Sequence, residues 1–199
     1  MINTVIFDMH GVILTDPHGN LVPYIHSTRP DVTEKDIYAN WMKAAVGELN
    51  SHDFFANLGY DNPAAAEAGC IATIEIDPSF FEVVTELRKQ YRTVLLSNEI
   101  AEWGDAICDK FGLHDHFDLV VISGAVGMKK PEARIFEHVL TEMGAAPEQC
   151  VFIDDMTKHL DSARALGIHT IHYKGTTEEY PSSSSLAELS GVIAALSGD

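Results

Sequence analysis

Several short apolar runs in this sequence end in polar side chains that could do chemistry. Two runs end in carboxylates, one ends in a hydroxyl and an amide, and a lysine stands just before a helical pattern. Carboxylates that lie within a few ångströms of one another cannot all stay ionised unless a cation lies between them. The polar set comprises Asp8, Ser97, Asn98, Lys130, Asp154 and Asp155.

An oxygen-rich group of this kind suits Mg²⁺, which shares its coordination shell with the phosphate oxygens of a substrate. The ammonium of Lys130 and the hydroxyl of Ser97 would hold the remaining phosphate oxygens. Asp8 would then attack phosphorus and form an aspartyl-phosphate, with the metal reducing the repulsion between two anions. The residue types therefore indicate metal-dependent phosphoryl transfer. The alternative for Asp8 is a strand that ends in an ordinary polar turn.

The elements that would carry these residues alternate between strand and helix. Strands separated by helices imply a parallel sheet with right-handed crossovers, and ligands bind at the carboxyl edge of such a sheet. We therefore expect an α/β fold with a five-stranded parallel sheet. The serine run 182–185 is expected to be a linker or cap before a last helix at about 186–196. The predicted strands are 4–7, 93–96, 119–122, 150–153 and 169–173.

A long stretch without strand patterns separates the first predicted strand from the others. It begins with a turn-rich part that ends at Pro30 and continues with helical patterns. We expect it to form a small helical unit inserted into the core. The predicted helix starts are Thr33, Ser51 and Pro63. The predicted boundaries are 15–77 for the helical unit, and 1–14 with 78–199 for the core.

Composition limits the partners of this chain. Its 199 residues include 13 basic and 30 acidic side chains, giving a formal net charge of −17 at pH 7. Such a charge repels nucleic acids and anionic membranes, so we expect neither as a partner. No run is apolar and long enough to span a membrane, and the N-terminus does not resemble a signal peptide, so we expect a cytoplasmic location. The three cysteines lack metal-ligand spacing and are expected to be reduced thiols.

In order and spacing, four motifs resemble those of the haloacid dehalogenase (HAD) superfamily. The resemblance covers about residues 1–175. It implies a Rossmann-like core, a helical cap between the first two motifs, and Mg²⁺-dependent hydrolysis of a small phosphorylated metabolite. Gly47–Glu48–Leu49 and the segment from Ser51 to Phe55 also resemble the cap of small sugar-phosphate phosphatases of the family. The motifs are Asp8–Met9–His10–Gly11–Val12, Ser97–Asn98, Lys130–Pro131 and Ile153–Asp154–Asp155.

The resemblance also implies a role for each motif residue. Asp8 would be the nucleophile and a metal ligand, and the backbone carbonyl of His10 would be a second ligand. Asp155 would bind Mg²⁺ directly, and Asp154 would bind it through a water molecule. A lysine would pair with both the nucleophile and the transferred phosphoryl group. The residues implied to bind that phosphoryl group are Ser97, Asn98 and Lys130.

His10 departs from the pattern of phosphatases in the family, which place a second aspartate there as general acid and then base. Imidazole can do acid–base work near neutral pH, although its reach differs from that of a carboxylate. Three interpretations stay open: His10 is the acid–base group, the enzyme is slow or needs an easily displaced leaving group, or the fold has become a metabolite-binding module. Dehalogenation is a further alternative, which the Asp154–Asp155 pair disfavours because dehalogenating relatives use no metal.

The helical unit would choose the substrate, and the sequence does not show which of its side chains do so. Arg29, Trp41 and Lys43 could face the substrate, but we expect them to lie on the surface or in the core of the unit. The oligomeric state does not follow from the sequence.

Overall fold

One parallel sheet forms the centre of the computed structural model, which describes residues 1–16, 20–175 and 178–198. Within these residues the sheet has six strands. They are β1 (Thr4–Phe7), β2 (Arg92–Ser97), β3 (Leu119–Ile122), β4 (Cys150–Asp154), β5 (His169–Tyr173) and β6 (Ser182–Ser183). The strand order is β3-β2-β1-β4-β5-β6, and every neighbouring pair is parallel. The first strand of the chain is therefore central, between β2 and β4.

The helices divide into those before β2 and those that alternate with the later strands. Between β1 and β2 lie α1 (Leu21–Thr28), α2 (Glu34–Ala44), α3 (Ser51–Asn57), α4 (Pro63–Ala72) and α5 (Phe80–Leu87). The later helices are α6 (Ala101–Phe111), α7 (Ser123–Val126), α8 (Ala133–Met143), α9 (Thr157–Ala165) and α10 (Leu189–Ser197). No helix among the described residues is both long and apolar enough to cross a lipid bilayer.

Alternate residues of the strands bury their side chains on opposite faces of the sheet, as the two-residue period of a strand requires. In β1, Val5 and Phe7 join the cluster that also contains apolar residues of α5, α6 and α10. Ile6 points to the other face and joins the cluster built with α8 and α9. Both faces are thus covered by helices, which fixes β1 in a fully apolar environment.

The sheet has six strands, so the prediction of five was one short. The serine run predicted as a linker forms β6, in which Ser182 pairs with His172 and Ser183 with Tyr173. The backbone N–H of His172 donates to the carbonyl of Pro181 at 2.8 Å, and that of Lys174 donates to Ser183 at 2.7 Å. This pairing is made by backbone atoms alone, so two serines without an apolar pattern can provide it.

The helices α1 to α4, residues 21–72, are called the four-helix segment below. The N-cap predicted at Thr33 is confirmed, since its side chain accepts a hydrogen bond from the N–H of Asp36. At α3 the predicted N-cap was wrong by one residue, because Asn50 caps the helix. Helix α1 lies where we predicted turns. Its proline, Pro23, falls in the first turn, where a helix needs no N–H donor from it.

Trp103 of α6 joins the four-helix segment to the sheet. Its ring packs against Phe54 and Phe55 of α3, with ring centroids 5.5 Å away in both cases. Its indole N–H donates to the hydroxyl of Ser51 at 2.6 Å, and both side chains are buried. A large aromatic contact and a satisfied buried hydrogen bond therefore hold the segment beside the carboxyl edge of the sheet.

Candidate active site

The polar residues predicted from the sequence meet at the carboxyl ends of the three central strands, β2, β1 and β4. Phe7 of β1 is in register with Leu95 of β2 and with Ile153 of β4, so the residues that follow emerge side by side. A cavity of about 320 Å³ opens at this edge, a volume at the lower end of the range for small-molecule sites. Its lining includes Asp8, His10, Asn98, Lys130 and Asp155.

Asp8 is held by the turn that follows β1. Its backbone N–H donates to the carbonyl of Ile153 at 2.9 Å, and its Oδ1 accepts from the N–H of Met9 at 2.7 Å. Gly11 then reverses the chain with φ of 79°, a conformation that a residue with a Cβ rarely adopts. The second carboxylate oxygen, Oδ2, accepts no hydrogen bond from any described residue and is free to react.

Lys130 bridges two carboxylates. Its Nζ lies 2.6 Å from Asp8 Oδ1 and 3.0 Å from Asp154 Oδ2, and the lysine side chain is 1% exposed. The backbone of Lys130 is fixed by Asn98, whose Nδ2 donates to the lysine carbonyl at 2.9 Å and whose Oδ1 accepts from its N–H at 2.8 Å. Asn98 thus positions the lysine, and its role as a phosphate ligand stays a prediction.

Ser97 ends β2 and is fully buried. Its Oγ makes no hydrogen bond with any described residue. Buried hydroxyls are normally satisfied, so an unpartnered one next to a ligand cavity is suited to a ligand oxygen. Ser97 itself is not among the described residues that line the cavity, and the neighbouring Asn98 is.

The two adjacent aspartates after β4 have different environments. Asp154 is fully buried, and its oxygens are occupied by Lys130, by the N–H of Met156 at 2.7 Å and by His159 Nδ1 at 3.0 and 3.1 Å. Asp155 lines the cavity, and its carboxylate takes no hydrogen bond from another described residue. Asp154 therefore acts as a structural partner of Lys130, whereas Asp155 presents free oxygens.

The site carries more negative than positive charge. Three carboxyl groups, those of Asp8, Asp154 and Asp155, lie around the ammonium of Lys130 and outnumber it. Burial, joined by the charges of the neighbouring aspartates, raises the pKa of Asp8 to about 7 in spite of Lys130. Burial also raises the pKa of Asp155, with a smaller contribution from Asp154. Burial lowers the pKa of His159, so this imidazole adds no compensating charge near neutral pH.

This charge deficit and this donor set fit a divalent cation that prefers oxygen ligands. Asp8, Asp154 and His159 each offer a ligand atom within 4.8 Å of the others. The atoms of Asp154 and His159 are hydrogen-bonded to each other, so the unoccupied oxygens belong to Asp8 and Asp155. The residues that would hold Mg²⁺ are thus those two carboxylates, with the carbonyl of His10 as the resemblance implies.

His10 is paired with a residue that the sequence analysis missed. Its Nε2 lies 2.8 Å from Oε2 of Glu99, and the two side chains are 13% and 6% exposed. The other oxygen of Glu99 accepts from the N–H of Ile100 at 2.8 Å. Burial alone would lower the pKa of His10, but the hydrogen bond and charge of Glu99 raise it above its ordinary value. The remaining ring nitrogen, Nδ1, has no partner among the described residues.

His159 and Glu99 are the functional neighbours that sequence reasoning missed. Glu99 directly follows the Ser97–Asn98 motif, so its position in the sequence offered a weak signal. Among the side chains considered for substrate contact, Trp41 does line the cavity, contrary to our expectation. Arg29 instead hydrogen-bonds Asp31 and the carbonyl of Gly59, which agrees with the expected surface position.

Comparison with known proteins identifies the family. A family profile described as haloacid dehalogenase-like hydrolase matches residues 2–167. Since this match covers most of the sequence, the chain belongs to the haloacid dehalogenase-like hydrolases. Its six-stranded parallel sheet with helices on both faces is the Rossmann-like fold expected of that family.

Among curated relatives, D-ribitol-5-phosphate phosphatase of Bacteroides thetaiotaomicron is 26% identical over 191 residues, 85% of this chain and 91% of that protein. Bifunctional epoxide hydrolase 2 of Sus scrofa is 33% identical over 103 residues, half of this chain. The alignment covers 19% of that much longer protein. The relatives therefore include phosphatases of similar length and a longer protein of which this chain spans about a fifth.

Among solved structures, the HAD family enzyme bt-2542 of Bacteroides thetaiotaomicron has a similar fold. Its complex with magnesium and inorganic phosphate superposes with a TM-score of 0.77 at 22% identity, covering 90% of this chain and 98% of that one. This likeness confirms the fold over 90% of this chain.

Proposed function

We propose that the protein is a Mg²⁺-dependent phosphatase of small phosphomonoesters. The observation that carries the proposal is the pairing of Lys130 with Oδ1 of Asp8, which leaves Oδ2 of Asp8 free at the cavity. A nucleophilic carboxylate needs one free oxygen and a fixed orientation, and both are present. Phosphatase relatives and the magnesium and phosphate bound to the structural neighbour bt-2542 support the proposal.

In the proposed reaction, Oδ2 of Asp8 attacks phosphorus while the bond between phosphorus and the ester oxygen breaks. The product alcohol leaves with a proton, and water then attacks the aspartyl-phosphate, releasing phosphate and restoring the carboxylate. Lys130 and the unpartnered hydroxyl of Ser97 bind oxygens of the phosphoryl group. Bound Mg²⁺, held by Asp155, the His10 carbonyl and the Asp8 oxygen that does not attack phosphorus, would lower the repulsion between the carboxylate and the phosphate.

We assign the proton transfers to His10, with Glu99 as its positioning residue. Glu99 fixes Nε2 of the ring and is itself held by a backbone N–H, so the imidazole has one orientation and one free nitrogen. In this assignment the buried Nδ1 gives a proton to the departing oxygen and takes one from water when the bound ester reaches it. A base oriented by a carboxylate is a recurring catalytic arrangement.

We further propose that the four-helix segment is the cap, as the boundaries 15–77 predicted. It is joined to the core at Trp103 and supplies part of the cavity lining through α1 and α2. A cover of this kind would exclude bulk water from the reacting phosphate.

The first experiment measures hydrolysis of phenyl phosphate with Mg²⁺ and with EDTA, for the wild type and for Asp8→Asn. We expect activity that requires both Mg²⁺ and Asp8. The control is Asp115→Asn, the same substitution at an exposed position away from the cavity, which should keep full activity. Folded protein that binds Mg²⁺ and phosphate but hydrolyses nothing would instead favour a metabolite-binding module.

The role of His10 is tested with leaving groups of different basicity. His10→Ala should lose activity on alkyl phosphates by about 10²–10⁴-fold and much less on aryl phosphates, which need little protonation. Glu99→Gln keeps a hydrogen-bonding side chain at the same place. It should also lose more activity on alkyl than on aryl phosphates, by a smaller factor than His10→Ala, and the pH profile of its activity should change. Equal losses on aryl and alkyl esters would exclude His10 as the general acid.

A further inference from the structure

The cavity in front of Asp8 has two chemically different parts to its lining. One part belongs to the core and carries the charged groups of the site, including Lys129 and Lys130. The other part comes from α1 and α2, and it is apolar. The two parts meet where Nζ of Lys129 lies 3.3 Å from Sδ of Met42. The side chains of the apolar part are Leu21, Val22, Tyr38, Trp41 and Met42.

The apolar part of the lining includes large side chains that are open to water. Tyr38 is 47% exposed and Met42 is 48% exposed. Among the large apolar side chains of the described residues, only Met1, at 89%, is also exposed. Two of the three such side chains therefore lie on one helix and face one cavity. Apolar surface concentrated in this way marks a binding site for an apolar group.

Polar partners are scarce on this side of the cavity. Its side-chain hydrogen-bonding atoms, within the described residues, are the hydroxyl of Tyr38 and the indole N–H of Trp41. On the core side, the amide of Asn98 is occupied by the backbone of Lys130, and Glu99 is occupied by His10. The hydroxyls of a sugar placed against α1 and α2 would leave water for no more partners than the Tyr38 hydroxyl and the Trp41 N–H, which is unfavourable. A hydrocarbon would cover Tyr38 and Met42, which is favourable.

We propose that this cavity takes phosphomonoesters of apolar alcohols, with an alkyl or aryl leaving group against α1 and α2, in preference to sugar or polyol phosphates. The proposal rests on the phosphatase function given above and specifies its substrate class. The charged part of the lining receives the phosphoryl group, and the apolar part receives the leaving group. A ligand with one anionic end and one hydrocarbon end matches both parts.

The test compares hexyl phosphate with glycerol 3-phosphate, both esters of a primary alcohol. Each methylene buried on binding favours the ester about four-fold, so we expect kcat/KM for hexyl phosphate to be higher by about ten-fold or more. Glycerol is the slightly better leaving group, so a preference for the hexyl ester must come from the cavity. Equal rates, or faster hydrolysis of glycerol 3-phosphate, would overturn the proposal.

The variants Tyr38→Ser and Met42→Ser, combined in one chain, remove the exposed apolar surface without emptying a buried position. The ratio of kcat/KM for hexyl phosphate to kcat/KM for glycerol 3-phosphate should fall to about two-fold or less, since the methylenes then lose their apolar contacts. The control is Lys35→Ser, an exposed position on the same helix that does not line the cavity. An unchanged hexyl advantage in the double variant would refute this assignment.

Failure of this proposal and failure of the phosphatase function give different results. If phenyl phosphate is hydrolysed but hexyl and glycerol esters react equally, the function stands and the substrate class is wrong. If no ester is hydrolysed, calorimetry with Mg²⁺ compares binding of hexylphosphonate and 2,3-dihydroxypropylphosphonate. Tighter binding of the hexyl compound, by about ten-fold from its buried methylenes, would support the apolar site, and equal binding would overturn it.

Discussion

Removing the buried ammonium of Lys130 should destabilise the fold strongly, and the loss should depend on pH. The substitution Lys130→Met keeps an unbranched side chain of similar length but leaves Asp8 and Asp154 without their cation. With distances of 2.6 and 3.0 Å, each attraction amounts to about 6 kcal/mol at an effective dielectric constant of about 20. Burying the charged lysine costs desolvation energy, and the substitution removes that cost, which offsets much of the two lost attractions. Breaking a buried ion pair in this way typically costs about 3–5 kcal/mol.

The sign of the pH dependence follows from the carboxylates. Without Lys130, the folded-state pKa of Asp8 rises further above the ordinary 3.8, and Asp154 loses the largest of the contributions that lower its pKa against the effect of burial. Groups with raised folded-state pKa values stabilise the protein at low pH and lose that contribution as pH rises. In the wild type, Lys130 and His159 outweigh burial and lower the pKa of Asp154, which has the opposite effect. The cost of the substitution should therefore be largest near pH 8 and shrink towards pH 5.

Urea unfolding measured at pH 8 and pH 5 without Mg²⁺ checks both the size of the loss of stability and its dependence on pH. With a slope of about 2 kcal/mol per molar urea, the midpoint at pH 8 should fall by about 2 M. Lys129→Met is the matched control, because it makes the same substitution one residue away at a partly exposed lysine, and it should cost no more than about 0.5 kcal/mol. A cost below about 1 kcal/mol at pH 8, or an equal cost at both pH values, would refute the reasoning.

Three further outcomes concern stability and thiol reactivity. Ser51→Ala should cost about 1–3 kcal/mol in urea unfolding, because it leaves the buried indole N–H of Trp103 without its acceptor; a cost near zero would show that water replaces the hydroxyl. Thr33→Ala should cost about 1 kcal/mol through loss of the α2 cap, whereas Thr33→Ser should cost little. All three cysteines are buried, and burial raises the pKa of Cys70 to about 12, so the native protein should not react with a thiol reagent at pH 8. Denatured protein should react at three thiols. The stability due to a protonated Cys70 is complete below its ordinary pKa of 9.0 and is lost as pH rises towards 12.

The sequence alone predicted the central strands and the polar residues at their ends, because each signal was local. Thr4–Phe7 is an uninterrupted apolar run that ends at a carboxylate, and it is fully buried in β1. The same pattern located β4 and its two aspartates. Strand β6 was not predicted, because its two serines contribute only backbone hydrogen bonds and show no apolar pattern in the sequence.

The partners of the site residues could not be predicted, since they depend on distances between elements. Glu99 lies 89 positions from His10 in the sequence, and its residue type is ordinary for a helix start. His159 contacts Asp154 only because α9 turns back over the end of β4. The side of α2 that faces the cavity could not be predicted either. Trp41 and Met42 are neighbours in the sequence, and whether either of them reaches the cavity depends on how the helix packs against the core.

The central position of β1 has a consequence for synthesis of the chain on the ribosome. This strand precedes both of its neighbours in the chain, and they arrive only with Arg92–Ser97 and Cys150–Asp154. Until the second of these has emerged, one long edge of an apolar strand stays unpaired, which is the condition under which nascent chains aggregate. The same delay means that Asp8 meets Lys130 and Asp154 only after Asp154 has been made. Appearance of the assembled site therefore reports the pairing of β1 with both of its neighbours, β2 and β4, and any enzymatic activity would be a signal that this pairing has occurred.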